Sequence, residues 1–159
     1  MSSVEVTIVQ ALPENDSTIA QHFYQLWLDN DVSEDSIRDD WLDITLKFIE
    51  QARREVAFQA FIAEINGSIV GSASCQLYCG LYPSPFKLQH RKYGYIWNIY
   101  VESDYRRQGI ATQLTKTAID YLQDLDCTKA VLHASPFGKP VYESLGFVSN
   151  NEMVLDFKK

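Results

Sequence analysis

Cysteine is scarce: 159 residues hold three, Cys75, Cys79 and Cys127. An odd number without metal-ligand spacing supplies neither a disulfide framework nor a metal centre, and it fits a reducing compartment. Cys79 reads as a small buried hydrophobe rather than a reactive thiol. No stretch approaches the ~18 apolar residues that a membrane-crossing helix needs. The opening Met1-Ser2-Ser3-Val4-Glu5-Val6 lacks the basic and apolar regions of a secretory leader. These absences set the expectation of a cytoplasmic protein with no membrane partner. Basic residues are also few. With 14 Lys and Arg against 21 Asp and Glu the formal charge is -7, so a nucleic-acid backbone would be repelled and a cationic partner attracted. No G-x-G-x-x-G follows a strand and no G-x-x-x-x-G-K-[ST] occurs, which removes the dinucleotide and P-loop readings. Repeats, low-complexity tracts and linkers are missing too. Residues 1–159 therefore read as one domain, and 46% hydrophobic content is enough for a full core without staples.

What is present is a series of clear periodicities. Val4, Val6 and Ile8 alternate with Glu5, Thr7 and Val9 as a first strand. Pro13-Glu14-Asn15-Asp16-Ser17 supplies turn and capping residues, and Ile19, Phe23, Leu26 and Trp27 keep helical spacing to about Leu28. A second helix is expected from the acidic first turn at Ser33, through Ile37, Trp41, Ile44, Phe48 and Ile49, toward Arg54. Phe58–Ile65 and Ser68–Tyr78 flank Asn66-Gly67, the strongest hairpin signal in the chain. Cys79–Lys92 is long for a connection and reads equally as a binding loop or a variable surface loop. Gly94–Val101 forms a central strand, Gln108–Asp124 a helix, Lys129–Ala134 a strand, Lys139–Leu145 a short helix and Glu152–Phe157 a final strand.

The chemistry concentrates where the central strand turns into a helix. Across Ile99-Tyr100-Val101-Glu102-Ser103-Asp104-Tyr105-Arg106-Arg107-Gln108-Gly109-Ile110-Ala111, a β-rich run becomes within a few residues a helix with a glycine in its first turn. The first N–H groups of a helix have no partner inside it, and its dipole makes that end positive. Such a corner holds an anion. Gly109 removes the Cβ that would keep a diphosphate from the backbone, and Arg106 and Arg107 add positive charge.

Arg106-x-x-Gly109-x-Ala111 resembles the [QR]-x-x-G-x-[GA] signature of the GNAT superfamily, the acyl-CoA-dependent N-acyltransferases. Downstream, Ser135-Pro136-Phe137-Gly138-Lys139-Pro140-Val141-Tyr142-Glu143-Ser144-Leu145-Gly146-Phe147 is similar to that family's N-x-x-A-x-x-L-Y-x-x-x-G-F segment, with Ser135 and Gly138 replacing the usual Asn and Ala. The resemblance implies an α/β fold: a mixed, mostly antiparallel sheet with one splayed parallel strand pair, flanked by about four helices. It implies a bulge near Tyr100, with the pantetheine arm pairing to Ile99, Tyr100 and Val101. The diphosphate would lie on Arg106, Arg107, Gln108, Gly109, Ile110, Ala111 and Thr112, with Ser135 also at the cofactor. It implies acetyl-CoA as cosubstrate without a metal, an amine acceptor that is a small molecule or a peptide, and compatibility with a homodimer.

Direct transfer to an amine needs a neutral nucleophile, a polarised carbonyl and a proton for the departing thiolate. Tyr142 stands where the family's tyrosine protonates the sulfur. No carboxylate or histidine lies on Gly94–Val101, so the base is left among Asn98, Tyr95, His133 and a water relay. The acidic residues Asp29, Asp31, Glu34, Asp35, Asp39, Asp40 and Asp43 surround the first two helices. They either steer a cationic acceptor or stabilise helix starts on a solvated face. The expectation is an N-acetyltransferase. Its alternative is a noncatalytic acyl-CoA-binding sensor or partner-binding domain.

Overall fold

A computed structural model describes residues 4–157; Met1–Ser3 and the last two lysines lie outside the described residues. Five strands form one sheet in the order β1 (Thr7–Gln10), β2 (Gln59–Ile65), β3 (Ser68–Leu77), β4 (Tyr93–Val101) and β5 (Lys129–Val131). The first three pairings are antiparallel, and β4 runs parallel to β5. Four α-helices accompany it: α1 (Asp16–Asp29), α2 (Trp41–Glu55), α3 (Ile110–Asp124) and the short α4 (Lys139–Ser144). This is the mixed sheet with one parallel pair that the motifs implied. Asn66 and Gly67 both adopt positive φ and close the β2–β3 hairpin.

Each face of the sheet has its own core. On one side Leu114, Ala118 and Leu122 of α3 are buried against Val70, Ala73, Ile96 and Val101. Each of the leucines is almost fully covered, a burial that stabilises by roughly 2 kcal/mol per side chain. On the other side Ile19 of α1 and Ile49 and Ala52 of α2 cover Phe58, Ala60 and Ile62. Arg53 near the end of α2 donates twice to the Asp16 carboxylate, at 2.6 and 2.9 Å, and so fastens the start of α1 to the end of α2.

The central strand is kinked. Ser74 pairs with Trp97 and Ser72 with Tyr100, so Asn98 and Ile99 together face Ala73 alone. Asn98 takes φ +53, a left-handed conformation that asparagine tolerates better than most residues. The bulge is thus centred two residues before Tyr100. Because of it, consecutive side chains Trp97 and Asn98 both turn toward α1: Trp97 meets Phe23 edge-on at 5.1 Å, and the Asn98 amide donates to the Ile19 carbonyl at 3.2 Å.

Beneath the bulge lies a buried polar contact. His22 of α1 is 6% exposed, its Nδ1 is 2.7 Å from Ser72 Oγ, and its ring lies 4.8 Å from that of Tyr100. Burial lowers its pKa from 6.5 to about 4. The unfolded chain therefore binds a proton near pH 6.5 that the folded chain refuses until about pH 4. Stability from this group is complete above that window and falls by roughly 3 kcal/mol as pH drops through it. Urea unfolding at pH 7 and pH 4 should show a smaller pH loss in His22→Gln than in the wild type; equal losses would remove the assignment.

Four local expectations need correction. The helix foreseen from Ser33 is instead a 3-10 turn at Glu34–Ser36 followed by an extended Ile37, and α2 begins only at Trp41. The Ser36 hydroxyl, bonded to the Ser33 carbonyl at 2.6 Å, closes that turn locally. The strand foreseen to Ala134 ends at Val131, because its ladder with β4 stops at the pair Tyr95 and Val131, before the bulge. Glu152–Phe157 forms no strand: its alternation is strand-like, but the short β5 offers no continuing edge, and Met153, Val154, Leu155 and Phe157 are exposed. Cys79 is exposed rather than buried, since it lies past the end of β3 in the connection to β4.

Candidate active site

Beyond Tyr95, β4 continues to Val101 with no strand paired on its outer side among the described residues. The gap opens into a cleft of about 730 Å³. Its walls come from Ile99, Tyr100 and Val101 of β4, the loop and first turn of α3, Leu26 and Asp29 of α1 with Asn30 just after it, and Ser135 to Tyr142 around α4. Of the cofactor positions expected from the motifs, Arg106, Arg107, Gly109, Ile110, Ala111, Thr112 and Ser135 line it with Ile99, Tyr100 and Val101. Gln108 is exposed and does not line it.

At the corner, Arg107 and Gly109 both adopt positive φ, 62° and 79°. A Cβ on Gly109 would meet nothing within 4 Å, so this glycine leaves open space on the cleft side while serving as the α3 N-cap. The first bond of α3 runs from the Gln113 N–H to the Gly109 carbonyl at 3.1 Å. The N–H groups before Gln113 have no acceptor within the helix and belong to its positive end. The arginines divide their work. Arg106 donates from Nε to the Val101 carbonyl at 2.8 Å and from Nη2 to Asp29 Oδ2 at 2.7 Å, with its guanidinium over the Tyr100 ring. It stitches strand, loop and α1 together, and Asp29 offsets its charge. Burial acts against ionisation of Asp29, but hydrogen bonds from Gln25 and Arg106 hold its carboxyl below the usual value. Arg107 has no salt-bridge partner among the described residues and lines the cleft with its charge available.

Across the cleft, the Ser135 carbonyl accepts from the Gly138 and Lys139 N–H groups at 3.1 and 3.0 Å, and its hydroxyl accepts from Gly138 at 3.2 Å. Serine thus organises the turn into α4. Gly138 makes room for a ring: a Cβ there would lie 2.8 Å from Tyr142 Cε2 and 3.1 Å from its hydroxyl. Tyr142 packs edge-on against Phe147 with centroids 6.0 Å apart. Burial raises its phenol pKa to about 12, so it remains a proton donor at neutral pH. The two departures from the motif, Ser135 and Gly138, therefore both serve the placement of Tyr142.

The candidates for the base are sorted by position. Asn98 is buried: its Nδ2 donates to the Ile19 carbonyl and to Ser72 Oγ, its Oδ1 has no partner among the described residues, and it does not line the cleft. Tyr95 sits on the last rung of the β4–β5 ladder. Its hydroxyl is 2.7 Å from His133 Nδ1, and His133 Nε2 is 3.0 Å from Glu152 Oε2. Burial, with Tyr78 and Glu152 nearby, raises the Tyr95 pKa; in the neutral tautomer whose Nε2 hydrogen faces the Glu152 carboxylate, Nδ1 accepts from the Tyr95 hydroxyl. Glu152 carries no site role in the sequence reading, nor do Phe137, Leu26 and Asn30 of the cleft wall; no spacing signals a carboxylate 19 residues from its histidine.

Three of the seven residues of the acidic cluster are in ion pairs: Asp29 with Arg106, Asp40 with Arg38 and Asp43 with Lys47; Glu34 accepts from the Tyr24 hydroxyl. The loop from Cys79 to Lys92 lines neither this cleft nor the apolar recess beside it. Among the described residues no group of three or more His, Cys, Asp or Glu is placed to hold a metal ion, and no helix is long and apolar enough to cross a membrane.

Residues 20–147 match the family model described as acetyltransferase (GNAT) family. The chain belongs to the GNAT acetyltransferase family. It is 35% identical over 96 residues to N-alpha-acetyltransferase 30 of Xenopus laevis, covering 58% of this chain and 33% of that protein. It therefore spans about a third of that relative. Glucosamine 6-phosphate N-acetyltransferase of Trypanosoma brucei brucei is 30% identical over 105 residues, 65% of this chain and 68% of its own. The GNAT fold is shared with a predicted acetyltransferase from Clostridium acetobutylicum, solved with acetyl-CoA, at TM-score 0.80, 24% identity and 95% coverage of both chains. A GCN5-related N-acetyltransferase from Ralstonia eutropha has the same fold at TM-score 0.80 and 20% identity, with 96% of this chain and 99% of that one covered.

Proposed function

We propose that this GNAT protein is an acetyl-CoA-dependent N-acetyltransferase that passes an acetyl group directly to a primary amine. The observation that carries the reading is one continuous cleft. It joins a helix N-terminus with spare N–H donors, an unpaired strand edge and the phenol of Tyr142. The α3 amides and Arg107 hold the diphosphate, and the open side of Ile99 to Val101 receives the amides of the pantetheine arm, which satisfies strand groups otherwise unpaired. Acetyl-CoA supplies a thioester carbonyl: the amine nitrogen bonds to that carbon, the carbon–sulfur bond breaks, and the nitrogen's proton leaves. Tyr142 donates a hydrogen bond to the sulfur as it gains charge, and solvent supplies the proton that the departing thiolate takes up. Tyr95 takes the amine's proton while giving its own to His133, which Glu152 orients. His133 and Glu152 side chains are 61% and 63% exposed, so the relay empties into bulk water. The unpaired cysteines Cys75, Cys79 and Cys127 support a cytoplasmic setting.

Thiol release from acetyl-CoA across a broad amine panel tests the reading. Release with at least one amine is expected. His133→Gln should lower kcat/KM by about 10²-fold at neutral pH. Tight acetyl-CoA binding without release for any amine would replace the enzyme by a noncatalytic sensor.

A further inference from the structure

A second recess of about 370 Å³ lies between α1, α2 and the sheet, walled by Phe23, Trp27, Ile44, Phe48, Tyr95 and Trp97. Its back is an aromatic cluster: Phe23 and Phe48 meet Trp97 edge-on at 5.1 and 5.7 Å. Its mouth leaves apolar surface to solvent, with Trp27 47%, Ile44 41% and Phe48 49% exposed. Exposed apolar surface gathered around a concavity marks a binding site rather than scattered surface residues.

The lining carries no charged side chain. Its polar groups are few and mostly engaged. The Thr45 hydroxyl donates to the Trp41 carbonyl at 2.7 Å, and Gln76 Oε1 accepts from Trp97 Nε1 at 3.1 Å. The Gln76 amide remains as a donor, and the Tyr95 hydroxyl, which donates to His133, can still accept. The recess adjoins the reaction cleft on two sides. Phe23 and Trp27 of α1 face the recess while Leu26 and Asn30, on the same two turns, face the cleft. On β4, Trp97 lines the recess and Ile99 the cleft, with only the bulge residue between them.

The structure assigns this recess, we infer, as the acceptor subsite, and its occupant as an uncharged apolar group, an aromatic ring or a branched alkyl chain, one or two carbons from the amine. The inference rests on the acetyltransferase reading and narrows its acceptor. With the group seated against Trp97, the amine lies at the Tyr95 hydroxyl and toward the gap that receives the thioester. The lining of the recess offers neither a carboxylate to a polyamine nor a cation to a sugar phosphate.

The test uses the full chain with acetyl-CoA and five acceptors: 2-phenylethylamine, 3-methylbutylamine, a tetrapeptide beginning with phenylalanine, spermidine and glucosamine 6-phosphate. The apolar amines, free or at the peptide terminus, should exceed the last two in kcat/KM by at least about tenfold, and the two kinds of apolar source are distinguished by which is faster. Ile44→Trp fills the recess from an exposed helix position and should raise KM for the apolar acceptor about tenfold while the acetyl-CoA Kd stays unchanged. Preference for spermidine or the sugar phosphate, or an unmoved KM in Ile44→Trp, overturns the assignment. If no amine is acetylated, the enzyme reading fails separately, and quenching of Trp27 and Trp97 fluorescence by 2-phenylethylamine decides the subsite. Saturable quenching in the wild type that is lost in Ile44→Trp upholds it, and its absence overturns it.

Discussion

Replacing Tyr142 by phenylalanine lowers kcat by about 10²- to 10³-fold and leaves the Kd for acetyl-CoA essentially unchanged. The direction follows from what the substitution removes. Phenylalanine keeps the ring that packs on Gly138 and Phe147, so the fold and the cleft wall persist while the only proton donor on that ring is lost. With its pKa raised to about 12, the phenol is a weaker acid than a coenzyme A thiol. Its contribution is therefore a hydrogen bond that strengthens as charge builds on the sulfur, with proton transfer following from solvent, and this is a transition-state term rather than a binding term. Gly138→Ala supplies the control that a purely structural role would not satisfy. It retains the hydroxyl but pushes a Cβ to within 2.8 Å of the ring, so kcat should fall by about tenfold as the hydroxyl is displaced from the sulfur. Full activity in Tyr142→Phe would end the assignment.

Much of this architecture could be read before any coordinate was known, because the signals that work over short distances are strong here. The Asn66-Gly67 turn fixed the hairpin, the spacing of Leu114, Ala118 and Leu122 fixed the buried face of α3, and Gly109 marked the corner where the cleft begins. Misreadings arose where a local pattern needed a distant partner. Met153 to Phe157 alternate like a strand, yet strand formation is decided by an edge to pair with, and β5 ends at Val131. Arg106 looked like free charge beside a phosphate; Asp29, 77 positions away, claims its guanidinium. The relay was half visible, with Tyr95 and His133 both singled out, but their contact and the arrival of Glu152 depend on parallel pairing of β4 with β5. The aromatic recess is assembled from α1, α2, β3 and β4, and its Phe23, Trp27, Ile44 and Phe48 read only as apolar helix faces until the bulge at Asn98 turns Trp97 toward them.

Gly109→Glu should weaken coenzyme A binding by about 10²-fold or more, read as a Kd by calorimetry. Two effects add. At φ +79 any side chain strains the corner, costing roughly 1 kcal/mol. The new carboxylate then enters open space on the cleft side, within the field of the same N–H groups that would otherwise meet the diphosphate, and places like charge beside it. Gly109→Ala separates the two: it carries the strain without the charge, so its Kd should rise by only a few-fold. Salt sharpens the distinction further, since screening at high ionic strength relieves part of the glutamate effect and none of the alanine effect. Coenzyme A affinity equal in wild type and Gly109→Glu would mean that the diphosphate lies elsewhere, and the roles given to Arg107, the α3 amides and the strand edge would fall with it.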